Sequence, residues 1–163
     1  EGYPKRQLTL IENGILKNIV YDSYTAQKYN AENTGHALPA PNAFGPVPTH
    51  VTMLQGNKTR EEMINSIKKG LLVTRLWYVR VLNARSLEIT GMTRDGTFLI
   101  ENGKITHGVK NLRFNQSIPK ALNNVIELED TLTFVSSFEG ELGISRLPSI
   151  HIKDWNFTSS TVF

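Results

Sequence analysis

Four histidines, His36, His50, His107 and His151, are the first candidates for chemistry in a chain of 163 residues that has no cysteine. No two of them stand four apart on a predicted helix, and the His-Glu-x-x-His element is missing. All four fall in predicted loops or strands far apart in sequence. A zinc site built from three of them has no support, and ordinary polar or strand-rim histidines are the plainer reading. There is no Gly-x-Ser-x-Gly elbow and no phosphate-binding Gly-Lys-Ser/Thr. A Ser/His/Asp triad is defined by geometry, so a chain this rich in Ser, Thr and Asp gives no evidence for one. Glu61 and Glu62 are neighbours on a predicted helix and point in different directions, which is no carboxylate dyad. These residues hold no self-sufficient active site.

The elements that would position any site are strands and tight turns. Asn102-Gly103 supplies two residues suited to positive φ, flanked by alternating Phe98/Ile100 and by Ile105 and Val109, and predicts a hairpin. The apolar parity of the second strand changes near Gly108, which predicts a bulge. Leu10-Ile11-Glu12-Asn13-Gly14 recurs word for word as Leu99-Ile100-Glu101-Asn102-Gly103 and predicts a second hairpin over residues 7–20. A relic of duplication and a shared preference for a good turn both explain the repeat, the second slightly better.

Asp22 caps a predicted helix over residues 22–33 that ends at Gly35 and buries Tyr21, Tyr24, Ala26 and Tyr29. Residues 36–48 hold four prolines and read as an irregular loop. Residues 49–54 read as a strand. Thr59-Arg60-Glu61-Glu62 is a capping box opening a helix with Met63, Ile64 and Ile67 inward and Gly70 as its stop. Residues 71–82 are apolar at both parities and predict a strand covered on both faces, with Arg75 in an internal ion pair or at the strand's rim. Residues 86–90 predict a short strand and 91–96 a turn. Ser117 caps a short helix with Pro119 in its first turn. Short strands follow at 125–128, 132–135, 147–152 and 154–157, with a loose Gly-containing stretch at 136–146. The sum is an α+β domain, predominantly antiparallel β and barrel- or sandwich-like, with two or three short helices.

The balance of 18 Lys+Arg against 15 Asp+Glu gives a net charge of +3, and the basic residues are scattered along the sequence. Nucleic-acid binders concentrate such charge, so that class is disfavoured. No apolar run reaches the roughly 18–20 residues of a membrane span. With no cysteine and no signal peptide, a cytoplasmic location is expected. Glu1-Gly2-Tyr3-Pro4-Lys5-Arg6 reads as a linker, residues 1–6, from a preceding N-terminal domain, and residues 7–163 as one domain.

Several stretches together resemble the C-terminal domain of the TldD/PmbA proteins, peptidases also described as modulators of DNA gyrase. They are Leu10 to Leu16, Asp22 with Ala26 and Thr34-Gly35, Gln55-Gly56-Asn57-Lys58-Thr59-Arg60-Glu61-Glu62, and Gly70-Leu71-Leu72-Val73. Leu87-Glu88-Ile89-Thr90-Gly91 and Phe98 to Ile105 are the most specific. Phe114-Asn115-Gln116-Ser117 and Pro148-Ser149-Ile150 complete the set.

The resemblance implies a zinc peptidase that degrades or trims unfolded or flexible peptides inside a chamber of two subunits. It places the zinc-binding His-Glu-x-x-x-His helix in an N-terminal domain. A cysteine within residues 132–148 completes the metal site in the active branch, and this sequence has none. Trp77-Tyr78-Val79-Arg80 and Thr93-Arg94-Asp95-Gly96 resemble the PmbA branch, also called TldE, whose subunit carries no zinc. The expectation is therefore a chain without a cofactor of its own, partnered by a TldD-like subunit or by a second copy. Arg94, Asp95, Arg113 and Asn115 are the residues expected to line the chamber, with strand-surface ion pairing as the plainer alternative for each. Two other readings stay open: an active zinc peptidase with His151 or Glu139 replacing the cysteine, and a non-proteolytic binding module.

Overall fold

The computed structural model describes residues 1–136 and 143–160. In chain order the elements are β1 (Ile11–Glu12), β2 (Ile15–Leu16), α1 (Ser23–Tyr29), α2 (Arg60–Ser66), β3 (Lys69–Asn83), β4 (Glu88–Glu101) and β5 (Lys104–Gly108). They continue with β6 (Leu112–Ser117), α3 (Ile118–Asn123), β7 (Val125–Leu128), β8 (Thr133–Ser136), β9 (Ile144–Leu147), β10 (Ile150–Ile152) and β11 (Phe157–Ser160). All the strand–strand pairings are antiparallel, in one five-stranded sheet and three two-stranded ones, with no closed barrel among the described residues. The α+β expectation holds.

The chain divides into two compact units. The first joins Glu1–Met53 to Thr133–Leu147. Its β1–β2 hairpin turns on Asn13 (φ 50°) and Gly14 (φ 77°), as the Asn-Gly pair dictates. Asp22 caps α1 through a hydrogen bond from the Thr25 amide at 2.8 Å, and the Thr25 hydroxyl donates to the same oxygen. The helix is shorter than predicted because Asn30 takes the left-handed conformation (φ 51°) that stops it. Of its predicted inward side only Ala26 is buried; Tyr24 is 69% exposed and Tyr29 is exposed too. Gly35 serves elsewhere, where a Cβ would run into the Pro4 carbonyl. The predicted strand at 49–54 reduces to a bridge between Thr52 and Arg146, and residues 36–48 are irregular as expected. The loose stretch predicted at 136–146 lies partly outside the described residues; β8 and β9 pair across it.

The second unit joins Leu54–Leu132 to Pro148–Phe163. The Thr59 capping box is formed: Thr59 Oγ1 accepts from the Glu62 amide at 3.2 Å, and Glu62 Oε2 accepts from the Thr59 amide at 2.8 Å. The backbone hydrogen bond from Thr59, then the one from its side chain, hold the Glu62 carboxyl below the ordinary glutamate range. Replacing Thr59 by Ala removes the cap, and a fall of about 1 kcal/mol in unfolding free energy is expected from a urea titration. The helix stops at Ser66, before Gly70, which instead enters β3.

β4 is the central strand. β3 pairs along its length, β6 along residues 88–92 and β5 along 98–101. The predicted turn at 91–96 is absent, because Gly91 and Gly96 serve space and not bending. A Cβ on Gly91 would lie 2.7 Å from the Phe114 ring, and one on Gly96 2.8 Å from the Phe98 ring. The bulge predicted near Gly108 is present as a register shift between Ile105 and His107, and β5 ends at Gly108 before β6 begins at Leu112. Asn102 (φ 50°) and Gly103 (φ 76°) make the predicted hairpin turn. The core of this unit is Phe114, Ile100, Gln116 and Thr93, on and beside β4 and β6. The expectation that β3 is covered on both faces fails beyond residue 74, where Tyr78 and Val81 are 65% and 66% exposed. β11 covers Phe157–Ser160, later than the 154–157 predicted, and residues 147–152 split between β9 and β10.

Candidate functional site

The register of β3, β4 and β6 gathers residues that are distant in sequence. Arg75 pairs with Arg94 and Trp77 with Met92; beyond a bulge, Arg80 pairs with Thr90. On the other side of β4, Arg113 pairs with Met92 and Asn115 with Thr90. Opposed residues of an antiparallel pair share a face. Arg75, Trp77, Arg80, Thr90, Met92, Arg94, Arg113 and Asn115 therefore occupy one face of the five-stranded sheet. Phe114, Gln116 and Thr93 occupy the other.

Trp77 is the centre of this face. The Arg75 guanidinium lies 4.7 Å and the Arg94 guanidinium 5.3 Å from its ring centroid. Such stacking holds the planar cations and leaves their edges for hydrogen bonding. Arg75 Nη1 donates to Asp95 Oδ2 at 2.8 Å, and Arg94 Nε stands 3.9 Å from Asp95 Oδ1. Asp95 has φ 65° on the bulge where Val73 and Arg75 shift register. Arg80 stacks on Tyr78 at 4.5 Å, and Tyr78 itself has φ 51° on the next bulge. Bulges of this kind re-aim side chains.

All four residues expected from the sequence thus lie on this face or at its edge. Arg94 and Asp95 touch the same cluster, Arg113 is exposed on β6, and Asn115 is half-buried beside Asn156, which donates from Nδ2 to the Asn115 carbonyl at 2.8 Å. Sequence reasoning missed Trp77 and Arg80 as parts of it. Of the two readings given for Arg75, an internal ion pair or a place at the strand's rim, the structure shows an ion pair that is half exposed. The fold brings four arginines that are scattered in the sequence onto one face.

Residues 1–159 match the family described as PmbA/TldA metallopeptidase C-terminal domain. This chain belongs to that family. Two curated relatives are named Metalloprotease TldD homolog, from two strains of Buchnera aphidicola. They are 30% and 29% identical over 117 residues, 68% of this chain and 23% of each relative. The chain therefore spans about a quarter of the length of the curated relatives it matches. The fold is similar to TldE from Thermococcus kodakarensis, with TM-score 0.81, 24% identity, 97% of this chain and 35% of that one. It is also similar to a protein described as a modulator of a DNA gyrase from Thermotoga maritima, with TM-score 0.75, 23% identity, 96% of this chain and 34% of that one.

Membership in a metallopeptidase family raises the question of a metal. Among the described residues no group of three or more His, Cys, Asp or Glu is placed to hold one. His151 turns Nδ1 toward Glu127 Oε2 at 3.5 Å, and Ser66 Oγ lies 3.4 Å from the same oxygen. The carboxylate stands between hydroxyl and imidazole, so His151 does not reach Ser66 and these three residues do not form a nucleophile–His–carboxylate triad. Glu139 lies outside the described residues. The described residues of this PmbA/TldA-type domain do not fit a zinc ion. No helix among them is long and apolar enough to cross a membrane.

Proposed function

We propose that this chain is the C-terminal domain of a TldE/PmbA-like subunit, the zinc-free partner in a metallopeptidase complex that degrades or trims flexible peptides. A TldD-like subunit supplies the metal; the alternative assembly is a pair of copies of this protein. The observation that carries the reading is the open edge of β3. It is a strand of 15 residues, paired to β4 on one side and, among the described residues, to no strand on the other. An extended peptide added there gains main-chain hydrogen bonds without reference to its sequence, which suits a peptidase of unfolded chains. The absence of cysteine from the sequence supports the zinc-free assignment, since the family resemblance places a cysteine ligand in this domain.

Cleavage of a flexible peptide is the deciding assay. The intact protein alone is expected to leave the peptide uncut, and addition of a TldD-like partner to start cleavage that a chelator stops. Chelator-sensitive cleavage by the purified protein alone would instead favour an active zinc peptidase with a different third ligand.

A further inference from the structure

The pentapeptide Leu-Ile-Glu-Asn-Gly occurs at residues 10–14 and again at 99–103, and the fold gives its two copies opposite surroundings. Both end in the same turn: Asn13 and Asn102 have φ 50°, and Gly14 and Gly103 have φ 77° and 76°. Local sequence and turn geometry therefore cancel in a comparison of the two. What differs is how each turn is held. The Asn102 amide donates to the Lys68 carbonyl and the Gly103 amide to the Ile67 carbonyl, both at 2.8 Å. Gly103 is buried, and a Cβ there would lie 2.8 Å from the Asn65 carbonyl oxygen. That turn is clasped by the segment joining α2 to β3. The Gly14 amide has no acceptor among the described residues, and a Cβ on Gly14 would meet nothing within 4 Å. Its hairpin pairs Ile11 with Leu16 and Glu12 with Ile15, in a sheet of two strands only. Ile11, Ile15 and Leu16 are each more than half exposed, so little burial keeps that pairing closed.

We propose that Asn13 is a site of spontaneous deamidation and that the fold protects Asn102 from the same reaction. The Gly14 main-chain nitrogen loses its proton to solvent base and attacks the Asn13 side-chain carbonyl carbon, Cγ. A new C–N bond closes a succinimide ring, and the side-chain nitrogen takes up a proton and leaves as ammonia. Water then adds to one of the two ring carbonyls and breaks its bond to nitrogen, giving aspartate or isoaspartate. Water is the only other reactant. Glycine at the second position leaves no Cβ in the path of the attack. At Gly103 the proton that must leave is held on the Ile67 carbonyl, and the nitrogen cannot swing toward Cγ without breaking both clasping hydrogen bonds. The product alters the first hairpin in either form. Aspartate puts a second negative charge beside Glu12, which pairs with Lys17 at 3.5 Å. Isoaspartate lengthens the main chain by one methylene, which a two-residue turn cannot absorb without losing the register of β1 and β2.

Peptide mapping tests the proposal. The intact protein is held in mildly alkaline buffer, sampled over time, digested and read by mass spectrometry, with an isoaspartyl methyltransferase scoring isoaspartate. Asn13 is expected to convert at least about tenfold faster than Asn102, because a small exposed hairpin opens more often than one packed against its neighbours. In guanidinium chloride, where the clasp is gone, the two are expected to convert at similar rates. Hydrogen exchange reads the cause without the reaction: the Gly14 amide is expected to exchange freely and the Gly103 amide to be protected. Equal conversion of the two asparagines in the folded protein would overturn the proposal, as would faster conversion of Asn102. A rate difference that survives in guanidinium chloride would place the cause in the flanking residues and overturn it as well. Equal exchange of the two glycine amides would remove the protection on which it depends.

Discussion

Replacing Phe114 by Ala is expected to cost about 3–5 kcal/mol, a large share of the roughly 5–15 kcal/mol that holds an ordinary domain folded. Phe114 is 0% exposed, at the meeting of three supports. On β4 its partner is Gly91, whose missing Cβ is what makes room for the ring. On β11 its partner is Phe157. Trp155 meets it edge-on, with centroids 5.1 Å apart and planes at 65°. Nothing in this arrangement can collapse cheaply into the space, because Gly91 has no side chain to move and the β4–β6 ladder fixes the strands. The same contact makes a paired prediction. Gly91→Ala forces the ring aside and is expected to cost about 1–3 kcal/mol by overpacking. Urea titrations of both variants check this. A Phe114→Ala loss below that of Gly91→Ala would mean that the ring is not the keystone of the sheet.

The contrast between Gly91 and Gly103 shows what the sequence could and could not say. Gly103 follows Asn in a tight hairpin and needs positive φ, a local demand that the Asn-Gly pair announces. The Thr59 box, the Asp22 cap and the Ser117–Pro119 start are local in the same way, and each is present in the structure. Gly91 answers to a ring 23 positions further along the chain, so reading it as a turn split β4 into two elements. Helix ends failed for a related reason: Asn30 and Ile67 stop α1 and α2 before the glycines that would have served. The arginine face was half legible. Arg94, Asp95, Arg113 and Asn115 could be named from the residues around the hairpin. Arg75, Trp77 and Arg80 join them only because bulges at Asp95 and Tyr78 shift the register, placing Trp77 and Arg80 on one face despite their opposite parity. Strict alternation cannot foresee a bulge.

Acid is expected to weaken the second unit through Glu129, and the direction follows from its surroundings. The residue is 6% exposed. Its Oε2 accepts from Arg60 Nη2 at 3.1 Å and from the Ser149 amide at 3.2 Å, while its own amide donates to the Ser149 carbonyl and its carbonyl accepts from the Gly56 amide. Burial pushes the carboxyl pKa up and is the largest single influence. The hydrogen bonds from Ser149 and Arg60, with the charge of Arg60, outweigh it and hold the group below the ordinary glutamate value of 4.5. A carboxyl with a lower pKa folded than unfolded stabilises the fold above its unfolded pKa. That contribution disappears as pH falls through the folded pKa, because the unfolded chain takes up the proton first. Glu129→Ala is expected to cost about 2 kcal/mol near neutral pH, chiefly from stranding the Ser149 amide, since Arg60 is half exposed and its share is screened. Glu129→Gln keeps an acceptor for Ser149 and should cost less, yet it has no carboxyl to titrate. Urea midpoints followed from neutral pH down into the acid range separate the two effects. The wild type should lose stability below the ordinary glutamate range, and the Gln variant should show a shallower slope over the same interval. An unchanged acid slope in Glu129→Gln would move the acid sensitivity to other carboxylates, of which Asp22 in the first unit, held low chiefly by the Thr25 hydroxyl, is the next candidate.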